Sequence, residues 1–125
     1  MGTLGMEYLD AQPGFVYARM PVDARTRQPA GILHGGASLA MAETLGGLGS
    51  LLLIDAAQSD VRGAHISGNH VFPGKGQWVY GKATLIHQGK NTHLWNIDVF
   101  DENEQLLSTI RLTNFIVPKN NPTNR

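Results

Sequence analysis

Two features of the stretch Gly31 to Gly47, GILHGGASLAMAETLGG, have the residue types of an acyl-transfer site. The first is Glu43, one acid among Leu39, Met41, Ala42 and Leu45. A lone glutamate on an amphipathic helix is ordinarily a solvated position. Here its neighbours are small or apolar, and no Lys or Arg occurs between Arg27 and Arg62. The helix therefore offers no i,i+4 cation. The pattern predicts partial burial of Glu43, and a carboxylate desolvated without a cation is a good base or nucleophile.

The second feature is His34-Gly35-Gly36 at the start of the same segment. A helix start leaves about four N–H groups without intrahelical partners. Glycine lets a carbonyl oxygen come close to them, and the helix dipole favours negative charge there. That is an oxyanion hole in outline; the plainer reading is that the glycines only make the loop-to-helix turn. Gly35 and Glu43 are eight residues apart, about 12 Å along a helix axis. One carbonyl cannot touch both. If both act on one acyl group they come from different chains, and a twofold dimer with antiparallel helices creates two equal sites.

The elements that position these residues can be read on either side. Met6 to Leu9 and Phe15 to Val22 flank the turn signal Ala11-Gln12-Pro13-Gly14 and predict a short strand pair. In the second, Val16, Ala18, Met20 and Val22 alternate with Phe15, Tyr17, Arg19 and Pro21, a half-buried pattern. Asp23 to Ala30 reads as a loop. The helix is predicted from about Gly35 to Ala56, with Leu39, Ala42, Leu45, Gly49 and Leu52 as its core stripe. Gly46, Gly47 and Gly49 are unfavourable in a helix and point to close approach of a sheet. Strands are then predicted at Val61 to Val71, Gln77 to His87, Asn91 to Asp101 and Gln105 to Val117, joined by hairpin-type links into an antiparallel meander. One helix leaves sheet surface and edges uncovered, which predicts at least a dimer, with a dimer of dimers as the expected assembly.

Composition narrows the classes. At 125 residues and 42% apolar, the chain is one globular domain, taken as residues 1–118 with a polar tail at 119–125. Ten basic side chains balance ten acidic ones, so no bulk attraction to nucleic acid or anionic membrane is expected. Absence of cysteine removes thiol chemistry and fits a cytoplasmic location. No secretory signal is visible at the start, and the apolar run Leu51 to Ile54 is too short to cross a bilayer. There is no G-x-S-x-G, Walker A or G-x-G-x-x-G motif. His65 and His70 are five apart on one strand and point to opposite faces, so no metal site is expected.

MPVDARTRQPAGILHGGASLAMAETLGG, with SGNHVFP further on, resembles the hotdog-fold acyl-CoA thioesterases. The resemblance lies in the branch of the Arthrobacter-type 4-hydroxybenzoyl-CoA thioesterases, near the 1,4-dihydroxy-2-naphthoyl-CoA and enterobactin-synthesis proofreading enzymes. It covers nearly the whole chain. It implies an α+β hotdog fold, in which one long central helix is wrapped by a curved antiparallel sheet. It also implies hydrolysis of an aromatic or medium-chain acyl-CoA, with no cofactor beyond the coenzyme A of the substrate. By position, Glu43 matches the catalytic carboxylate. Gly35 matches the N–H that polarises the thioester carbonyl, Gln28 the amide that assists it, and His34 the histidine that orients the thiolate or the nearby loop. Gly63, His70, Val71, Phe72 and Pro73, with His87, Gln88, Gly89, Lys90, Asn91 and Thr92, match segments that line the CoA channel. Lys90 is a phosphate partner there or simply a solvated loop lysine. The chain departs from close relatives in a shorter segment before Met6, in Val71 where some have a second histidine, and in Gly47 where many have a serine near the acyl group. These changes leave the reaction class intact and bear on the substrate. An alternative is a non-catalytic acyl-CoA or acyl-carrier-protein binding module, which would be expected to lose Glu43; a hotdog dehydratase lacks its motif here.

Overall fold

The structure, a computed structural model, describes residues 5–23 and 35–119. Its strands are β1 (Glu7–Gln12), β2 (Phe15–Pro21), β3 (Ser59–His70), β4 (Trp78–Gln88), β5 (Thr92–Phe100) and β6 (Leu106–Pro118), and its helix is α1 (Gly35–Leu51). Side-chain alternation builds the sheet. Val16, Ala18 and Met20 of β2 are fully buried, as are Trp95, Ile97 and Val99 of β5, while the residues between them are only partly covered. All pairings are antiparallel, in the order β1-β2-β4-β5-β6-β3. The buried face of the sheet packs against α1, whose Met41, Ala42 and Leu45 are fully buried. Burial of Met41 and of Leu45 contributes roughly 1.5–3 kcal/mol each. The α+β, helix-on-antiparallel-sheet architecture is the expected one, and the strands fall within a few residues of their predicted ends.

Four expectations need correction. The helix stops at Leu51, not near Ala56. Leu53 N already bonds back to Ser50 O, and the Asp55 carboxylate takes the Ala57 N–H at 3.0 Å, a local turn that competes with helix. Leu52 therefore leaves the core stripe and is 49% exposed. The sheet is not a simple meander either. β3 and β4 are not neighbours, because β3 pairs with β6 while β4 lies between β2 and β5. The link between them crosses the end of the sheet. It is held there by Val71 N and Phe72 N on Leu107 O, and by Glu102 Oε1, which accepts from Gln77 N at 2.7 Å and Trp78 N at 3.3 Å. Pro-Gly-Lys-Gly suits a hairpin and a crossover alike.

The third correction concerns the helical glycines. A Cβ on Gly46 would run into Leu112, and one on Gly49 would come within 2.5 Å of the Trp95 ring, so both permit the predicted close approach. Gly47 does not, since a Cβ there meets nothing within 4 Å. The fourth is Glu43. It is exposed, as are Gly36 and Ala40, and it borders β3 rather than entering the core. The core stripe runs through Ser38, Met41, Ala42, Leu45 and Gly49, and a 3.6-residue period leaves position 43 off that stripe.

Candidate active site

Gly35 is the first residue of α1. β3 ends beside it, so that an ideal Cβ on Gly35 would lie 2.9 Å from His70 Nε2 and 3.3 Å from His70 Cδ2. The ring is held in place by its other nitrogen, since His70 Nδ1 lies 2.7 Å from the Oγ of buried Ser108, its cross-strand partner. Val71 and Phe72 follow, 53% and 56% exposed although both are apolar. Gly35 and His70 thus meet at the N-terminal end of the helix, while Phe72 and Pro73 go on to line a groove with Lys75, Gly76 and Asp101 to Asn103. Gln28 and His34 lie outside the described residues.

A second cluster forms at the other end of the sheet. Gly63 pairs with Asn114, Asn114 with His93 and His93 with Gln88, so these residues make one row. The β4–β5 turn closes that row, with Gly89 N donating to Thr92 O at 2.7 Å. A Cβ on Gly89 would lie 3.3 Å from His87 Nε2. Asn91 O accepts from Ile116 N, and Lys90 is exposed at the turn. From Gly63 to His70 is seven residues along β3, about 23 Å. The predicted channel residues are therefore not brought together on one chain.

Glu43 stands between the clusters. It borders a groove of about 190 Å³ lined by Gly63, Ala64, His65, Ile66 and Leu112. Its carboxylate makes no hydrogen bond or ion pair with the described residues. The adjacent Thr44 turns its hydroxyl back to Ala40 O at 2.9 Å. An exposed carboxylate on a face of small residues, with no cation against it among the described residues, has room for an electrophilic carbon to approach it.

Sequence reasoning missed the groups behind this surface. Ser108, which sets the His70 ring, and His93 were not singled out. Under α1, Ser50 Oγ accepts from Trp95 Nε1 at 2.9 Å and from Asn114 Nδ2 at 3.1 Å, and lies 2.7 Å from His93 Nδ1. Burial lowers the His93 pKa from its ordinary 6.5. The period-two pattern carried the signal: His93 shares the inward parity of Trp95, Ile97 and Val99, and Ser108 that of Ile110 and Leu112.

Comparison with known proteins bears on the fold and the family. The family model described as Thioesterase superfamily matches residues 30–108. The proofreading thioesterase EntH of Klebsiella pneumoniae is 41% identical over 109 residues, spanning 87% of this chain and 79% of its own length. The 1,4-dihydroxy-2-naphthoyl-CoA hydrolase of Escherichia coli is 41% identical over 117 residues, 94% of this chain and 85% of its own. The crystal structure of a thioesterase from Staphylococcus aureus superposes with a TM-score of 0.91 at 39% identity, covering 93% of this chain and 96% of the other.

Proposed function

The chain belongs to the thioesterase superfamily, an enzyme of thioester hydrolysis, and from that premise we propose that it cleaves an aromatic or medium-chain acyl-CoA to the free acid and coenzyme A. The observation that carries this reading is the placement of Glu43. It is an exposed carboxylate with no cation beside it among the described residues, two helical turns from a glycine-started helix N-terminus.

In the proposed reaction the Gly35 N–H and the Gln28 amide hydrogen-bond the thioester carbonyl oxygen and stabilise the oxyanion. Glu43 either attacks the carbonyl carbon, giving a mixed anhydride that water then opens, or removes a proton from the attacking water. The C–S bond breaks and the thiolate leaves, oriented by His34 and taking a proton as CoA is released. Nothing is oxidised or reduced.

The two clusters on one chain support a paired assembly. β3 is a twelve-residue edge strand, and an open edge invites another strand. Antiparallel pairing of β3 with its counterpart about Ile66–Ser67 would set His70 of one copy opposite Gly63 of the other. The Gly35 cluster of one chain would then meet Glu43 and the β4–β5 turn of its neighbour. The test is release of free thiol from a panel of acyl-CoA and acyl-carrier thioesters by the intact protein, beside Glu43→Gln. Turnover by the native chain that is lost in the variant, with an unchanged circular dichroism spectrum, supports the reading. Native rates in Glu43→Gln would overturn it.

A further inference from the structure

A polar cluster lies buried where the last turn of α1 crosses β5 and β6, and the reaction proposed above does not use it. Ser50 is 0% exposed, and His93 and Asn114 are each 2% exposed. Asn114 Nδ2 donates to Ser50 Oγ at 3.1 Å and to the Gly46 carbonyl oxygen at 3.2 Å. Ser50 Oγ also accepts from Trp95 Nε1 at 2.9 Å and lies 2.7 Å from His93 Nδ1. A serine beside a histidine has the residue types of a nucleophile, but no acyl group reaches a hydroxyl with no exposed surface. Burying polar groups is unfavourable unless they are hydrogen-bonded. These are, and their bonds tie helix to sheet.

Leu39, Glu43, Gly46 and Ser50 follow one another at steps of four, three and four residues, so they form one line along α1. Ser50 is within about 20° of Glu43 around the helix axis and about 10 Å further along it. The line faces β3 and β6. At its start, a Cβ on Gly68 of β3 would lie 2.9 Å from Leu39 Cδ2 and 3.0 Å from Ile110 Cγ1 of β6. In its middle, Glu43 borders the groove of Gly63 to Ile66 and Leu112, and Gly46 is pressed by Leu112. At its end, Ser50 is held by Asn114. Asn114 is also the cross-strand partner of Gly63, which lines the Glu43 groove. The cluster therefore joins both walls of that groove, helix and strand.

Burial of apolar surface is non-directional, and contact with Leu112 alone leaves α1 some freedom to turn about its axis. Hydrogen bonds are limited in length and angle, and a satisfied buried network rigidifies what it joins. We propose that Asn114 and Ser50 are positioning residues: they lock the Leu39–Glu43–Gly46–Ser50 line of α1 against β6 and so hold the Glu43 carboxylate at the β3 groove. This rests on the reading of Glu43 as the reacting carboxylate. A misplacement of about 1 Å at a reacting group can cost about a hundredfold in rate.

The test compares the native chain with Ser50→Ala, Asn114→Leu, Glu43→Gln and a control, Val16→Ala. Val16 is fully buried on β2, three strands from β6, so its truncation lowers stability but leaves the cluster intact. kcat and KM are measured by thiol release from an acyl-CoA that the native chain turns over, with kcat taken per folded chain from circular dichroism. Ser50→Ala and Asn114→Leu are each expected to lower kcat about tenfold or more with KM near its native value, because the loss falls on the transition state. Val16→Ala is expected to keep the native kcat. Native kcat in either cluster variant, or an equal loss of kcat in Val16→Ala, overturns the positioning role and leaves the hydrolase reading standing. A raised KM with native kcat overturns it as well, since the cluster would then shape binding. Should Asn114→Leu fail to fold, Ser50→Ala, which removes a single oxygen atom, decides on the same terms. Native rates in Glu43→Gln, or a native chain that releases thiol from no thioester, overturn the hydrolase reading itself and the positioning role with it.

Discussion

The imidazole of His70 occupies the space that a side chain on Gly35 would need, with Nε2 2.9 Å from the Cβ position. That nitrogen is not the end of a flexible chain. The ring is anchored through Nδ1 to buried Ser108 at 2.7 Å, so a clash there has to be relieved by moving the ring or the helix start.

Gly35→Ala is accordingly expected to lose both stability and turnover. Overpacking of this kind costs roughly 1–3 kcal/mol. If the loss comes from the His70 contact, Gly35→Ala combined with His70→Ala recovers most of the stability, while turnover stays low because the Gly35 N–H no longer presents the same approach. Thermal unfolding of the two single variants and the double variant measures the coupling. Additive losses would show that His70 and Gly35 are independent.

Half-sites on different chains predict complementation. Glu43→Gln and Gly35→Ala, each inactive alone, are expected to regain activity when unfolded together and refolded. One interface of a mixed dimer inherits an intact Gly35 from one copy and an intact Glu43 from the other, so the ceiling is about one active site per mixed dimer. Steady-state thiol release against mixing ratio checks it, with a maximum expected near equal amounts. A flat, inactive profile would mean that each chain carries its whole site.

The three helical glycines predict opposite effects on stability. Gly46→Ala and Gly49→Ala drive a methyl group into Leu112 and Trp95 and are expected to destabilise by about 1–3 kcal/mol. Gly47→Ala meets open space and is expected to stabilise by about 0.5–1 kcal/mol through helix propensity alone. Denaturant unfolding of the three variants reads the signs directly.

These glycines also show where sequence reading succeeds and where it stops. The helix, the alternation in β2 and most of the hairpin links follow from local periodicity, which the chain states openly. The identity of a strand's neighbour does not. Nothing in Pro73-Gly74-Lys75-Gly76 says that β3 pairs with β6, because that choice is made by thirteen residues of β6 far along the chain. In the same way Gly46, Gly47 and Gly49 look alike in sequence and differ only in what stands across from them. Glu43 and Gly35 stand out in the sequence as candidates because their chemistry is unusual for their setting. Glu43's exposure was not, since Leu39, Met41 and Leu45 look like its neighbours in sequence but turn to other sides of the helix.

Ser50 fixes the protonation of His93, and through it a pH dependence. The Ser50 hydroxyl accepts from Trp95 Nε1 and Asn114 Nδ2, which uses both lone pairs, so its single hydrogen is left to donate to His93 Nδ1. His93 is then neutral, with its hydrogen on Nε2. Protonation would aim a second hydrogen at an oxygen with no free lone pair, and burial opposes the charge as well, holding the pKa below 6.5. The sign follows: below about pH 6.5 the unfolded chain takes up the proton and the folded chain does not, so stability falls as pH drops from 6.5 to the folded pKa and levels off beneath it. The slope in that window approaches 1.4 kcal/mol per pH unit at most, about one proton's worth. His93→Gln keeps an acceptor for Ser50 and cannot titrate. Denaturant unfolding from pH 8 to 5 should therefore be steeper for the native chain than for His93→Gln by this increment, the exposed His65, His70 and His87 being common to both. Parallel curves for the two proteins would mean that His93 charges freely in the folded state and that the Ser50 hydroxyl can turn to accommodate it.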